Sequence, residues 1–258
     1  MDQARVEAGD AVVNKMSDRI AVVTGAGSGV GQACVVELAR RGFSIALLGR
    51  REAQLRETVE LARPDADANG ARLLPIPCDV AKEDDVHRMA QRVRDELGAV
   101  SVIINSAGVN IASRALAELS IEDYRHVIDV NLTGAFLVIH AFLPEMRQAG
   151  RGTIVNIISD AGVMANRISG AAYVASKFGL TGLTATINAE ERNHGIRATA
   201  ILPGEINTPL LDRRPVVPTP EARAKMLQAE DVAACAMLAI DLPDRAVIEQ
   251  LLVRPRER

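Results

Sequence analysis

Tyr173 and Lys177 are the two residues whose types and spacing most directly suggest chemistry. They bound the stretch YVASK, in a chain with only two tyrosines. Residues four apart share one face of a helix, so the phenol and the ammonium group would be neighbours. An ammonium ~4 Å from a phenolate contributes ~4 kcal/mol at an effective dielectric near ~20. The spacing predicts that Lys177 lowers the pKa of Tyr173, so that the phenol exchanges a proton with a bound oxygen. A surface pair, or a buried ring beside a lysine, is the alternative.

A glycine-rich turn stands where a phosphate could bind. Residues 24–31 read TGAGSGVG, after the apolar run IAVVT and at the start of a helical segment. Glycines let the main chain approach a pyrophosphate, which the free N–H groups of a helix N-terminus then bind. The spacing is TGxxxGxG and not GxGxxG, because Val30 and Gln32 fall where a third glycine would be required.

Short apolar runs alternate with helical segments along the chain. Strands are predicted at 20–24, 44–48, 73–77, 100–104, 153–158, 197–202 and 247–253. Helices are predicted at 33–41, 52–62, 83–97, 121–130, 133–147, 173–193 and 230–240. This alternation predicts an α/β fold with a parallel sheet covered on both faces. No linker interrupts it, so we expect a flexible leader at 1–17 and a single domain at 18–258, with the proline-rich excursion at 205–228 as a substrate lid.

The composition argues against several other classes of protein. The net charge is −3 and the basic pairs are scattered, so nucleic acid is not an expected partner. Three distant cysteines and four histidines without HExxH spacing give no support for a disulfide framework or a metal site. The sequence shows neither a secretory signal nor an apolar run of ~18 residues. We therefore predict a cytoplasmic protein with no membrane partner.

The two motifs, TGxxxGxG followed by YxxxK, resemble those of the short-chain dehydrogenase/reductase family. The resemblance runs from about residue 18 to the C-terminus. It implies a three-layer, Rossmann-like, doubly wound fold with a central, mostly parallel seven-stranded sheet. It also implies a homo-oligomer, either a dimer or a tetramer. The implied reaction is hydride transfer between NAD(P)(H) and a ketone, aldehyde or secondary alcohol.

The resemblance assigns four catalytic residues. Tyr173 is the general acid or base, and Lys177 lowers its pKa and binds the ribose of the cofactor. Ser159, at the end of a predicted strand, stabilises the substrate oxygen, and Ser169 in the following loop ranks below it. Asn131 holds a water that relays protons. Taken alone, Ser159 could be a strand-end cap and Asn131 a hydrogen bonder inside a helix.

Cofactor contacts carry over position by position. Gly49 falls where NAD-preferring members carry Asp, and the arginines after it could hold a 2′-phosphate, so NADP(H) is favoured and NAD(H) is possible. Two solvated arginines are the alternative. The predicted cofactor-binding residues are Gly25, Ser28, Gly29, Val30, Gly31, Arg50, Arg51, Asp79, Val80, Asn105, Ala107, Gly108, Tyr173, Lys177, Pro203, Gly204, Ile206 and Thr208.

Two other functions and the substrate stay open. A sugar-nucleotide epimerase or dehydratase would place its glycines as TGxxGxxG, and a catalytically silent NAD(P)-binding sensor or scaffold would not need all four catalytic residues. The segments at 160–170 and 205–228 should wall the substrate pocket. Apolar residues there make an apolar lining plausible. Arg167, Arg213 and Arg214 could recognise an anionic group, or could simply be solvated.

Overall fold

Seven strands form one sheet whose pairings are all parallel. The structure, a computed structural model, describes residues 19–257, and the predicted leader at 1–17 lies outside them. The strands are β1 (Ile20–Thr24), β2 (Ser44–Gly49), β3 (Leu73–Pro77), β4 (Val102–Asn105), β5 (Gly152–Ile157), β6 (Ile196–Pro203) and β7 (Gln250–Val253). Their order is β3-β2-β1-β4-β5-β6-β7. The predicted fold is confirmed. The sheet was expected to be mostly parallel, and all six of its strand pairings are parallel.

Helices cover both faces of the sheet. They are α1 (Gly29–Arg40), α2 (Glu52–Ala68), α3 (Glu83–Glu96), α4 (Ile121–Ile128), α5 (Gly134–Ala149), α6 (Ala171–Glu191), α7 (Pro220–Ala224) and α8 (Ala229–Asp241). On one face α1 packs between α2 and α8, and on the other α3, α5, α4 and α6 pack together. Each face has its own apolar core. The result is the doubly wound, three-layer arrangement.

The strands are mainly apolar because both faces of the sheet are covered. Every residue of β1 and β5 is buried. A parallel sheet packed on both sides reads as a continuous aliphatic run, not as an alternating one. Thr24, at the end of β1, lies opposite Leu48 of β2 and Asn105 of β4. Several strands therefore end together at one edge, which is where the predicted site residues follow them.

Several elements differ from their predicted bounds. The first helix, expected at 33–41, begins at Gly29, and the last strand, expected at 247–253, begins at Gln250. The helices expected at 121–130 and 133–147 form one continuous rod, joined by a π-helical turn at Asp129–Thr133. The helix expected at 52–62 continues through Pro64 to Ala68. Burial of Ala62 and Ala66 against the core supports that last part, so packing outweighs the local cost of the proline.

One described helix meets the length and composition criterion for crossing a membrane. This is the rod Ile121–Ala149, in whose most apolar window 44% of the residues are buried inside the molecule. Val138, Phe142 and Met146 on this rod belong to the apolar core. A core helix passes the same test, so the rod gives only weak support for a membrane span.

Candidate active site

The predicted site residues gather at the carboxyl edge of the sheet. Thr24 ends β1, Asn105 ends β4, Pro203 ends β6, and Ser159 follows β5 by two residues. Tyr173 lies in the first turn of α6. In open α/β sheets, ligands bind outside the carboxyl ends of the strands, where the connections diverge to opposite faces. The fold thus brings residues that are far apart in the sequence, from Thr24 to Pro203, to a single edge of the sheet.

Tyr173 and Lys177 lie on the same face of α6. The Lys177 Nζ is 5.5 Å from the centroid of the Tyr173 ring. Lys177 is only 3% exposed, and its Nζ donates a hydrogen bond to the main-chain oxygen of Ile157 at 3.1 Å. The Ser159 hydroxyl is within hydrogen-bonding reach of the Tyr173 phenol and acts to lower the pKa of that phenol. Two hydroxyls and one ammonium group therefore meet where β5 ends.

The protein's own groups raise the pKa of Tyr173, whereas the sequence predicted that it is lowered. Desolvation by burial raises the pKa of Tyr173 to about 12. The hydrogen bond from Ser159 and the guanidinium groups of Arg214 and Arg114 act in the opposite direction, and Asp160 reinforces the rise. Burial also lowers the pKa of Lys177 to about 8. The spacing YxxxK predicted the attraction between the pair, but it carries no information on how far each group is withdrawn from water.

Asn131 links three parts of the site. It lies in the π-helical turn and is 1% exposed. Its Oδ1 accepts from the Val109 amide at 2.7 Å, and its Nδ2 donates to the Val109 oxygen and to the Ser176 hydroxyl, both at 3.0 Å. Ser176 in turn donates to the main-chain oxygen of Tyr173 at 2.7 Å. The side chain thus fixes the loop after β4 relative to the start of α6.

The glycine turn is built so that the main chain packs closely on itself. Gly25 has φ +66°, and a Cβ there would lie 2.9 Å from the Ala107 nitrogen. A Cβ on Gly31 would lie 2.4 Å from the Gly25 oxygen. Ser28 precedes α1 without a capping side-chain hydrogen bond, and Val30 lies in the first turn. The first N–H groups of α1 therefore lack a side-chain acceptor and are suited to bind an anion.

Polar side chains connect the ends of the central strands. Thr24 Oγ1 accepts from the amides of Ser106 and Ala107, both at 3.0 Å. Asn105 Nδ2 donates to Asn156 Oδ1 at 2.9 Å, while Asn105 Oδ1 is buried without a partner among the described residues. A Cβ on Gly108 would lie 3.8 Å from the Lys177 Nζ, so the turn after β4 passes directly beside the lysine.

The arginines after β2 line a cleft with the glycine turn. Arg50 and Arg51 are exposed and share this cleft with Gly49, Asp79 and Val80. Neither guanidinium forms an ion pair or a side-chain hydrogen bond with another described residue. A Cβ on Gly49 would be 3.2 Å from the Leu55 Cδ2, so a larger residue would require Leu55 to move.

The segment at 205–228 returns to the glycine turn. It contains a 3₁₀ turn at Pro209–Arg213 and the short helix α7, and Ile206 bridges Leu227 at its base. The Thr208 side chain is the nearest neighbour of a Cβ placed on Gly29, at 3.1 Å. The Gly204 amide donates to the Val253 oxygen at 2.8 Å, which fixes the start of the segment after Pro203.

Sequence reasoning missed Arg114. Arg114 is 8% exposed and donates to the main-chain oxygens of Ile168 and Arg213 at 3.2 and 2.8 Å. Arg167 and Arg213, which the sequence left open as anion-binding or solvated, are exposed, and Arg214 pairs with Glu205 at 2.8 Å. Burial of Arg114 depends on two loops that are far away in the sequence. No local pattern signals it.

The donor groups at this edge fit a dinucleotide. The N-terminus of α1 lacks a side-chain acceptor, and Arg50 and Arg51 have no acidic partner among the described residues. Ile157 supplies the one hydrogen-bond acceptor of the Lys177 ammonium within the described chain, so further donors are available for hydroxyl groups. The N-terminus of α1 is suited to a pyrophosphate, the two arginines are suited to a further phosphate, and the Lys177 ammonium is suited to ribose hydroxyls. No cluster of metal-binding side chains occurs within residues 19–257.

Known proteins share both the sequence pattern and this architecture. The family model for short chain dehydrogenases matches residues 19–215. An uncharacterized oxidoreductase of Staphylococcus saprophyticus is 32% identical over 93% of this chain and 99% of its own. A metagenomic short-chain oxidoreductase in complex with NADP is 31% identical, with a TM-score of 0.78 over 94% of this chain and 99% of its own.

Two further solved structures carry more specific names. The alcohol dehydrogenase of the archaeon Thermococcus sibiricus, complexed with 5-hydroxy-NADP, is 27% identical with a TM-score of 0.81, over 93% of this chain and 97% of its own. The closed form of a serine dehydrogenase complexed with NADP⁺ is 25% identical with a TM-score of 0.82, over 93% and 96%. The chain belongs to the short-chain dehydrogenase family. It is an oxidoreductase of the dehydrogenase type.

Proposed function

We propose that this enzyme interconverts an alcohol and a carbonyl compound with NADP(H), and that Tyr173 transfers the proton. The observation that carries the proposal is the Tyr173 phenol, within hydrogen-bonding reach of Ser159 and beside the buried Lys177, whose Nζ lies next to Gly108 in the turn after β4. When bound, NADP(H) accepts or supplies the hydride. In the oxidative direction, the alcohol carbon loses two electrons as a hydride, and the hydroxyl proton passes to Tyr173 and then to solvent.

Each of the four predicted catalytic residues has a role in this proposal. Tyr173 donates its proton to the carbonyl oxygen in reduction and accepts one from the alcohol in oxidation. Ser159 donates a hydrogen bond to the substrate oxygen and stabilises its developing charge. Lys177 holds the ribose hydroxyls. Asn131 positions Val109 and Ser176, and the water-relay role predicted for it stays part of the proposal.

The pKa of Tyr173 determines which form of its phenol is present. Because burial raises it to about 12, the phenol is neutral in the protein's own field and is a weaker acid than a free tyrosine. The neutral phenol can donate its proton to a carbonyl oxygen in reduction, but the raised pKa does not favour that direction over oxidation. For the oxidative direction, added positive charge at the site is needed to stabilise the phenolate.

NADP(H) is favoured over NAD(H) by the residues after β2. Gly49 offers no carboxylate to hydrogen-bond a ribose 2′-hydroxyl, and Arg50 and Arg51 have no acidic partner among the described residues. Guanidinium groups bind phosphate bidentately. Two solved relatives, described above as complexes with NADP, add support.

The test compares NADPH and NADH consumption over a panel of ketones and aldehydes. We expect kcat/KM to favour NADPH by ~10-fold or more. Arg50→Ala and Arg51→Ala should each raise the KM for NADPH by ~10- to 100-fold and leave NADH use nearly unchanged. Arg63→Ala is the matched control, since Arg63 is an exposed α2 residue paired with Glu60. A preference for NADH contradicts the cofactor assignment, and NADPH binding without turnover of any carbonyl favours the silent sensor.

Three further expectations accompany this function, and they concern the substrate lid, the location in the cell and the assembly. Residues 205–228 serve as the substrate lid of a single domain. The enzyme works in the cytoplasm. It assembles as a homodimer or homotetramer, which the half-exposed Phe136 and Phe178 on α5 and α6 support as apolar contact residues. Sedimentation velocity should give two or four times the 27.6 kDa chain mass, and a monomer at assay concentrations contradicts the assembly.

A further inference from the structure

Arg114 is a buried cation beside the reacting groups. It is 8% exposed, and its Nε is buried without a hydrogen-bond partner among the described residues. It lies in the loop between β4 and α4, and a Cβ on Gly170, the N-cap of α6 three residues before Tyr173, would lie 2.7 Å from the Arg114 Cβ. Its charge is close enough to act on the pKa of Tyr173, which it lowers.

The hydrogen bonds of Arg114 leave donors unused. One terminal nitrogen donates to the Ile168 oxygen and the other to the Arg213 oxygen. A guanidinium has five N–H donors in a planar fork. Within the described chain, the Nε donor therefore has no acceptor. A planar donor set of this kind matches a carboxylate in two-point contact.

No carboxylate among the described residues pairs with Arg114. Two acidic groups in this part of the site are already matched, Asp160 with Arg254 at 3.6 Å and Glu205 with Arg214 at 2.8 Å. Arg214 is close enough that the two guanidinium groups repel each other, which together with burial lowers the pKa of Arg114. Arg114 therefore has no carboxylate among the described residues to compensate its charge.

A purely structural role explains these facts less well. Arg114 does bridge the loop at 160–170 to the segment at 205–228. The first loop is, however, also held by Asn110, whose Nδ2 donates to the Ser169 oxygen at 3.0 Å. A neutral side chain can make such bridges without the cost of burying an unpaired charge. A buried, unpaired cation beside a catalytic group is better explained by an anionic ligand.

We propose that the substrate of this site carries a carboxylate and that Arg114 binds it. The inference rests on the proposed function and narrows its substrate to a hydroxy acid and the corresponding oxo acid. In oxidation the alcohol carbon loses a hydride to NADP⁺, the hydroxyl proton passes through Tyr173 to solvent, and the carboxylate is unchanged. Reduction of the oxo acid is the reverse.

The experiment compares acids with their neutral esters. The probes are 2-oxobutanoate, acetoacetate and levulinate, each beside its methyl ester, together with cyclohexanone as a neutral ketone. NADPH consumption gives kcat/KM for each probe. We expect at least one acid to exceed its ester by ~10- to 100-fold, the range of a charge-assisted hydrogen bond.

The variants separate charge recognition from loop structure. Arg114→Gln should reduce the preference for the acid over its ester by ~10- to 100-fold, with the loss mainly in the KM for the acid and a smaller loss on the ester. Arg114→Lys should keep part of the preference, because it keeps the charge but loses the planar fork. Arg125→Gln, an exposed arginine on α4, should leave the preference unchanged.

The outcomes distinguish this inference from the function on which it rests. Esters and cyclohexanone turned over as well as the acids leave the proposed function intact and overturn the carboxylate assignment alone. An equal loss on acid and ester in Arg114→Gln assigns Arg114 a structural role and also overturns it. Absence of turnover on every probe overturns the proposed function, and the inference with it.

Discussion

At the scale of residues, the balance between pairing and burial decides how the site works. The YxxxK spacing places Lys177 on the face of α6 that carries Tyr173, with the Nζ 5.5 Å from the ring centroid. Attraction between the two favours phenolate and ammonium, whereas desolvation favours the neutral form of each. Desolvation is the larger effect in this structure, since the pKa of Tyr173 rises and that of Lys177 falls.

Burial of Lys177 should make stability depend on pH in a defined window. Its pKa falls from 10.5 to about 8, so between these values the folded protein binds fewer protons than the unfolded chain. The free energy of unfolding must then rise with pH through the window. Above pH 10 the raised pKa of Tyr173 acts in the opposite direction, which leaves pH 8 to 10 as the range to measure.

Lys177→Met removes this dependence. At neutral pH the variant should be as stable as the parent protein or more so, by ~1 to 3 kcal/mol, because it no longer buries a charge. The difference should shrink as the pH rises from 8 to 10 in urea unfolding experiments. Lys82→Met, at an exposed lysine, should follow the parent protein. Identical pH slopes for Lys177→Met and the parent would contradict the lowered pKa.

At the scale of elements, the β1–turn–α1 unit depends on close main-chain packing. The sequence predicted this unit from its glycines and the apolar run before them, and the structure shows why Gly31 is required. A Cβ there would lie 2.4 Å from the Gly25 oxygen, far inside contact distance. Main-chain atoms of a tight turn cannot give way as the end of a flexible side chain can.

Gly31→Ala should therefore displace the turn. We expect NADPH affinity to fall by ~10-fold or more and the urea midpoint to fall as well, because the clash strains the turn that presents the N–H groups of α1. Gly182→Ala is the matched control, since a Cβ on Gly182 in α6 meets no described atom within 4 Å. The control should keep NADPH affinity and gain up to ~1 kcal/mol from helix propensity. Unchanged NADPH affinity in Gly31→Ala would refute the role of the turn.

Strand positions were more predictable than helix ends. Aliphatic runs mark β1 to β6 well because most positions of a strand covered on both faces are buried, whereas the half-exposed β7 begins three residues after its predicted start. The rod formed by α4, the π-helical turn and α5 was predicted as two helices, since the polar residues around Asn131 interrupt the apolar pattern. Their hydrogen bonds to Val109 and Ser176 are made across the fold and leave no periodic trace in the sequence.

At the scale of the whole molecule, the parallel sheet assembles the site from distant segments. All seven strands run in the same direction, so the residues that follow β1, β4, β5 and β6 meet at the carboxyl edge of the sheet. The sequence could predict this edge and the residues on it. It could not predict Arg114, whose burial depends on the loops at 168 and 213, or the contact between Thr208 and Gly29. Such loop-to-loop contacts have no period and no fixed spacing.

The two tyrosines of the chain provide the most direct test of proton transfer. Tyr173→Phe keeps the ring and removes the hydroxyl, while Tyr124→Phe makes the same change at the other, half-exposed tyrosine on α4. The measurement is kcat with NADPH and a carbonyl substrate, beside the dissociation constant for NADPH. We predict that Tyr173→Phe lowers kcat by ~10²- to 10⁴-fold with NADPH binding within ~3-fold of the parent, and that Tyr124→Phe changes neither. Turnover by Tyr173→Phe close to that of Tyr124→Phe would contradict the account.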